Sequence, residues 1–241
     1  MVLSAQTLIG KILRLPLSLI PRDSTVRVLR GPLRGLRWTT GASSHACWAG
    51  TYEVDNLAAF ASAISLGSSV YDVGANVGIY ALLASRKTGP TGSVYAFEPN
   101  PRNLHYLHRH VVMNQLTNCL VMEVAVSDKE GVEKFSSASW QHSMGRLTPD
   151  GELEVPTVTL DSCVYGEKKL RPPDVIKIDV EGAEFLVLRG ASQTLTEHHP
   201  RLFIEIHGTG VHRDCHEFLV AKGYQLEEGY GYIRATWAAA K

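Results

Sequence analysis

Val70-Tyr71-Asp72-Val73-Gly74-Ala75-Asn76-Val77-Gly78 is the stretch that decides the fold. An apolar strand runs into a turn with two glycines, and a helix over about 77–86 follows. Twenty residues after Gly78 a second apolar strand, Val94-Tyr95-Ala96-Phe97, ends on Glu98. A strand, a glycine turn, a helix and a second strand ending on a carboxylate form a unit that holds a nucleoside. The turn and the helix N-terminus bring backbone N–H groups towards the ligand, and the carboxylate accepts hydrogen bonds from ribose hydroxyls.

The spacing narrows the choice of nucleoside. A dinucleotide turn reads G-x-G-x-x-G. Counted from Gly74, the second glycine would fall on Asn76 and the third on Ile79. The broken fingerprint argues against a nicotinamide-dependent reductase. Gly74-x-x-x-Gly78 with Asp72 before it is the looser turn of enzymes that bind S-adenosylmethionine (SAM). No pyrophosphate needs a cradle there, so fewer bare backbone positions are required.

Composition sets outer bounds. With 241 residues and 44% apolar content the chain can bury a full core. Its 24 basic and 24 acidic residues cancel, so no overall basic field favours nucleic acid. The N-terminal region does carry Lys11, Arg14, Arg22, Arg27, Arg30, Arg34 and Arg37, which keeps an RNA methyltransferase among the rival readings. Cys47, Cys119, Cys163 and Cys215 are scattered and form no C-x-x-C pair, which points to a reducing cytoplasm. Leu8, Ile9, Ile12 and Leu13 share one face of a predicted N-terminal helix. Pro16 and Pro21 interrupt the run, so it is too short to span a bilayer. Packing on the domain or in a homo-oligomer is its first reading, and peripheral membrane contact its second.

Further along, a hairpin is expected over 25–40 and a helix over about 54–66. Strands at 69–73, 93–98, 120–126, 174–179 and 202–206 then alternate with helices at about 77–86, 100–114, 182–196 and 212–222. Outer strands at 131–135 and 155–160 flank a polar excursion, and Tyr224–Trp237 reads as a terminal hairpin. This pattern is an α/β fold with a mostly parallel sheet and helices on both faces. Residues 1–50 form an N-terminal helix and hairpin extension, and 51–241 the main domain.

In open α/β sheets ligands bind at the carboxyl ends of the strands. Those ends supply Asp72, Glu98, Ala125, Asp179, Glu205 and His207 from five segments. With Ala96-Phe97-Glu98-Pro99-Asn100-Pro101, Ala125-Val126-Ser127-Asp128, Lys177-Ile178-Asp179-Val180-Glu181-Gly182-Ala183-Glu184 and Ile204-Glu205-Ile206-His207, the chain resembles the FkbM-type family of SAM-dependent methyltransferases. Gly31-Pro32-Leu33-Arg34-Gly35 and Gly50-Thr51-Tyr52-Glu53 extend the likeness, which covers roughly residues 25–226. The resemblance implies a Rossmann-like class I domain with a seven-stranded sheet. It also implies O-methylation of a hydroxyl on a sugar, glycolipid or natural product. The excursion 136–151 and the loop after His207 are the least family-like, so the acceptor stays open.

Residue roles follow from chemistry. Gly74 lets the backbone approach the methionine part of SAM, and Asn76 meets its amino-acid end; Gly78 completes the turn. Asp72 organises the loop or meets the ammonium through water. Glu98 accepts from both ribose hydroxyls, with an N-cap as the structural alternative. Glu123, Val124 and Ala125 lie by the adenine. Asp179 takes the ammonium or faces the acceptor hydroxyl, unless it only caps the following helix. Glu181 and Glu184 sit in that helix's first turn, where the dipole favours acids. His207, with Glu205 beside it, is the first choice of general base and Asp179 the second; a backbone-bonded loop histidine is the alternative. Tyr52 and Glu53 close over the site or pack beneath it.

Asp179, Glu205 and His207 also offer ligand atoms to a divalent ion, as do His212 and His216 around Cys215, but neither is a closed set and no metal ligand is assigned. His105, His108 and His110 read as solvated helix residues, and Trp140 with His142 as a sugar platform or an exposed loop. A non-catalytic SAM-binding module completes the rival readings.

Overall fold

The computed structural model describes residues 20–137, 145–229 and 231–238. The predicted N-terminal helix and the pair Trp140 and His142 lie outside the described residues.

The chain opens with a short hairpin, β1 (Thr25–Arg27) and β2 (Arg37–Thr39), then α1 (His45–Ala49) and α2 (Val54–Ser62). The central elements follow as β3 (Ser69–Val73), α3 (Ile79–Thr88), β4 (Ser93–Phe97), α4 (Pro101–Met113) and β5 (Cys119–Met122). A smaller sheet is then built from β6 (Ala125–Val126), β7 (Gly131–Ser136), β8 (Arg146–Leu147) and β9 (Leu153–Val158). After it come α5 (Leu160–Tyr165), β10 (Val175–Ile178), α6 (Glu184–Arg189), α7 (Ser192–His198), β11 (Arg201–Glu205), α8 (Thr209–Ala221), β12 (Tyr224–Gly229) and β13 (Tyr232–Trp237).

The main sheet has seven strands in the order β12-β13-β11-β10-β3-β4-β5. From β11 to β5 every pairing is parallel, and the terminal hairpin adds two antiparallel strands. The order reverses between β3 and β10, which makes their carboxyl ends the switch point where ligands bind. β3 and β10 are buried along their whole length, as strands covered by helices on both faces require. Residues 20–50 share a core with the sheet: Trp38, Leu33 and Trp48 pack with Val70, Leu82 and Leu107.

Three departures from the sequence reading have local causes. The strand expected over 120–126 is two strands in two sheets. The Val124 N–H turns back to the Met122 carbonyl (2.9 Å), and Ala125 pairs with Thr157 instead. The helix expected over 182–196 breaks into α6 and α7 at Gly190. That residue lies against the Ser127 carbonyl, where a Cβ would clash, and its own carbonyl accepts from the Asp161 N–H (2.9 Å). The last helix starts at Thr209, three residues before the expected start, because Gly208 (φ 117°) releases the chain directly from the β11 loop. No helix among the described residues is long and apolar enough to cross a membrane.

Candidate active site

Sheet register aligns the chemistry in two rows on one face. Asp72, Lys177, Phe203 and Arg234 are successive cross-strand partners. Two residues further towards the carboxyl ends of the parallel strands come Gly74, Asp179 and Glu205, with Tyr232 at the start of the antiparallel β13 opposite Glu205. Side chains alternate with period two, so Asp179 and Glu205 share the face of Lys177 and Phe203. The carbonyl of Val73 accepts from the Asp179 N–H (2.9 Å), which fastens the two central strand ends together.

A cleft of about 560 Å³, open to solvent, lies on one side of Asp179. Gly74, Asn76, Glu98, Val124, Ala125 and Asp179 line it, together with Phe135 and Leu147 of the small sheet and Gly145 just before β8. Glu98 is 4% exposed. Its Oε2 accepts from the Asn76 N–H and its Oε1 from the Asn100 N–H, each at 2.8 Å. Burial pushes its carboxyl up to about 7 against those donors. Asn103 Nδ2 also donates to Oε1 (3.4 Å), so of the carboxylate's about four acceptor positions the free one is on Oε2, open to a ribose hydroxyl.

The turn's own N–H groups are not waiting for a ligand. Those of Gly74 and Ala75 donate to the Phe97 carbonyl (3.0 and 2.9 Å), and that of Gly78 to the Ala75 carbonyl (2.8 Å). Gly78 answers to packing, since a Cβ there would meet the Leu107 side chain at 2.6 Å. Asn76, Glu53 and Glu181 all hold positive φ (52°, 38° and 55°). Left-handed backbone at non-glycine residues is strained and gathers at functional sites.

A second cleft, about 490 Å³, opens on the other side of Glu205. The rings of Tyr80, Phe203 and Tyr232 line it together with Asn56, Lys177, Glu205 and Arg234. Arg234 lies over the Tyr232 ring and donates to Asn56 Oδ1 (2.9 Å). Glu53 stands behind this wall and accepts from the Tyr80 hydroxyl (2.7 Å). Burial, then the Glu53 charge, pushes the Tyr52 and Tyr80 hydroxyls far up.

Lys177 joins the two clefts, and sequence reasoning missed it. It is 5% exposed, yet its Nζ reaches Asp179 Oδ2 (3.3 Å) and Glu205 Oε2 (3.9 Å) over the Tyr80 ring. Burial pulls its pKa down, but Asp179, Glu205, Asp72 and Glu53 together raise it above the usual value. Asp72 is buried beneath it, outside both cleft linings. Burial lifts Asp72 to about 7 and Lys177 opposes the rise. Glu205 is lifted to about 7 by burial and by Asp179.

His207 packs against the turn after β10. Its Nδ1 is 2.9 Å from Glu184 Oε1, and its Nε2 is 3.4 Å from Glu181 and 4.0 Å from Asp179. The Glu184 hydrogen bond raises its pKa to about 9 despite partial burial. The ring therefore carries a proton at neutral pH before any cation arrives, and the neutral imidazole expected from the sequence needs one.

Asp179, Glu205 and His207 form the one group among the described residues close enough to hold a metal ion. The Lys177 ammonium pairs with two of the three, Asp179 and Glu205, and offsets one of their two negative charges. His212 and His216 both face Glu228 (3.5 and 3.0 Å), while Cys215 between them points into the core. Glu123 turns outward to His108 (2.9 Å), leaving Val124 and Ala125 at the cleft. The solvated-helix reading holds for His105 and His108 but fails for His110, which is fully buried.

Residues 72–232 match the methyltransferase FkbM domain. The chain is 29% identical to the hexuronic acid methyltransferase AglP of Haloferax volcanii over 127 residues, 52% of this chain and 51% of that protein. It is 30% identical to the 2-O-methyltransferase NoeI of Sinorhizobium fredii over 127 residues, 45% of this chain and 51% of that protein. The chain thus spans about half the length of these relatives. The solved structure of methyltransferase FkbM from Methylobacillus flagellatus KT superposes with a TM-score of 0.52 at 20% identity, over 70% of this chain and 43% of that one, and shares its fold.

Proposed function

The chain belongs to the FkbM family of methyltransferases, and from that premise we propose that it transfers the methyl group of SAM to a hydroxyl of a sugar, glycolipid or natural product. One observation carries the reading: of two clefts, one lined by Glu98 and Asp179 and one by aromatic rings with Lys177 and Glu205, the Lys177–Asp179 ion pair links the linings. SAM takes the first cleft. Glu98 receives the ribose hydroxyls, Val124 and Ala125 flank the adenine, Gly74 and Asn76 meet the methionine part, and Asp179 accepts from its ammonium. The acceptor takes the second cleft, where Tyr80, Phe203 and Tyr232 offer faces and edges to an apolar ring surface and Asn56, Glu205 and Arg234 offer hydrogen bonds. The relatives named for a hexuronic acid and for 2-O-methylation support a glycan hydroxyl.

The chemistry is an in-line displacement. The acceptor oxygen bonds to the methyl carbon, the carbon–sulfur bond breaks, and its electron pair stays on the neutral sulfur of S-adenosylhomocysteine. Alignment supplies much of the rate. The hydroxyl proton goes to His207 Nε2, with Asp179 and Glu205 at the rim of the same site. SAM brings a sulfonium and an ammonium next to Asp179 and Glu181, and cations near an imidazolium lower its proton affinity. Cofactor binding thus readies His207 as a base. The four scattered cysteines suit a reducing cytoplasm.

Calorimetric titration with S-adenosylhomocysteine tests the cofactor site, with NAD as control and Glu98→Ala as a second sample. Micromolar binding lost in the variant, with NAD silent, is the expected result. Turnover is then sought with methyl glycosides and methyl hexuronides. S-adenosylhomocysteine binding without transfer to any acceptor would leave a non-catalytic binding module.

A further inference from the structure

We propose that Glu184 is a positioning residue for His207: its buried carboxylate holds the Nδ1–H and so presents Nε2 to the acceptor hydroxyl. This rests on reading His207 as the proton acceptor.

Glu184 is 0% exposed. Its Oε1 lies 2.9 Å from His207 Nδ1 and accepts from the Gly182 N–H (2.9 Å). Its Oε2 is buried with no hydrogen-bond partner in the described structure. A carboxylate is costly to bury without compensation. Helix capping does not account for the cost, because an acid in the first turn stabilises the dipole equally well from the surface. The compensation is the imidazole.

Geometry then fixes the tautomer. A carboxylate only accepts, so Nδ1 carries the hydrogen, and the neutral ring keeps its lone pair on Nε2. Nε2 is the atom that faces Asp179 and Glu181, two residues that line the first cleft, while the ring itself stands just outside both linings. The Glu181–Gly182 turn makes this reach possible. Both residues adopt positive φ (55° and 105°), which folds α6 back so that its first residue points at the β11 loop. The charged groups facing the ring are Glu184 from α6, Asp179 and Glu181 from the turn, and Glu205 from β11.

Nitrogen-15 NMR of the full chain tests this, with the His207 signals assigned by their loss in His207→Gln. Above its titration midpoint, His207 should show the Nδ1–H tautomer. In Glu184→Gln the midpoint should fall by about one pH unit or more, a tenfold loss of proton affinity, with S-adenosylhomocysteine binding retained. An Nε2–H tautomer in the intact chain, or an unmoved midpoint in the variant, overturns the proposal. If Glu184→Gln does not fold, the tautomer in the intact chain decides alone. Full turnover by His207→Ala would instead sink the base reading and leave the tautomer result standing, so the two failures are distinct.

Discussion

A Cβ on Gly74 would overlap the backbone carbonyl of Asp179. The rim of the site is built where these two strand ends touch backbone to backbone, with no room for a side chain between them. Gly74 also holds φ at 79°, a region that costs other residues roughly 1 kcal/mol or more. Gly74→Ala therefore meets two penalties, and relief requires moving the Asp179 loop. Differential scanning calorimetry should show a Tm loss of roughly 5–10 °C, for about 2–3 kcal/mol in a chain of this size. S-adenosylhomocysteine binding should vanish with it. Wild-type affinity in Gly74→Ala would mean that the rim is not the cofactor site.

Glu98 sets a pH dependence with a definite sign. Burial raises it to about 7, so near neutrality the free protein holds it partly protonated. A protonated carboxyl loses acceptor capacity, whereas ribose hydroxyls need it as an acceptor. Affinity for S-adenosylhomocysteine should therefore weaken as pH falls below about 7 and level off above it. Asp72 and Glu205 titrate in the same range, so Glu98→Gln supplies the control. It should bind roughly 10- to 100-fold more weakly, as expected for losing hydrogen bonds to a charged group. Its profile should also be flatter than the wild type's between pH 6 and 8, as read by calorimetry at ~0.5-unit intervals over the range where such carboxyls titrate.

The sheet was legible because its strands are apolar runs bounded by glycines and helices. Val70–Val73 and Val175–Ile178 lie where their patterns indicate, and the rim residues Glu98, Ala125 and Asp179 line one cleft. Long-range partners were not legible. Lys177 sits in an apolar strand, and nothing in its own neighbourhood says that Asp72 on another strand stands beside it. Sheet register supplies that, and strand order is needed to know it. The alternation Lys177-x-Asp179 beside Asp72-x-Gly74 was the available signal. The aromatic cleft was hidden for the same reason, since Tyr80, Phe203 and Tyr232 come from three distant segments. Local turn chemistry hid the rest: Val124 ends a strand by bonding back to Met122 rather than through glycine or proline.

Lys177 is the sole charge compensation inside this cluster that sequence reading omitted, and removing it should be costly. Lys177→Met leaves the buried Asp72 and the half-exposed Asp179 and Glu205 close together without the ammonium between them. Breaking a fully buried ion pair costs about 3–5 kcal/mol, and the loss here should be smaller because solvent reaches Asp179 and Glu205. The carboxylates can escape by taking up protons, so the deficit should be larger at about pH 8 than at about pH 5.5, on either side of the raised pKa of Asp72 and Glu205. Urea denaturation at both pH values reads this directly. A deficit independent of pH would show that the lysine stem, not its charge, does the stabilising. With the Lys177 ammonium paired to two of the three candidate ligands, EDTA should leave wild-type turnover unchanged.

His110 gives an acid-stability signature far from the chemistry. Its ring is fully buried and stacks on Trp38 with centroids 4.2 Å apart. Nδ1 lies 2.8 Å from the Val77 carbonyl and so carries the hydrogen, while Nε2 accepts from the Thr39 N–H (3.0 Å). The ring thus ties the N-terminal hairpin to the turn that precedes α3, and it does so only when neutral. Burial depresses its pKa to about 4, against 6.5 as the ordinary value. Below 6.5 the unfolded chain binds a proton that the folded chain refuses, so stability falls with pH until about pH 4. The full difference is on the order of 3 kcal/mol. His110→Gln should lower stability at neutral pH, because an amide cannot span both partners with the same stacking. It should also remove this portion of the slope between pH 6.5 and 4, the interval set by the two values. Denaturant midpoints measured across that interval for both chains would decide it, and parallel slopes would show that His110 titrates normally and that its burial is not what the neutral tautomer requires.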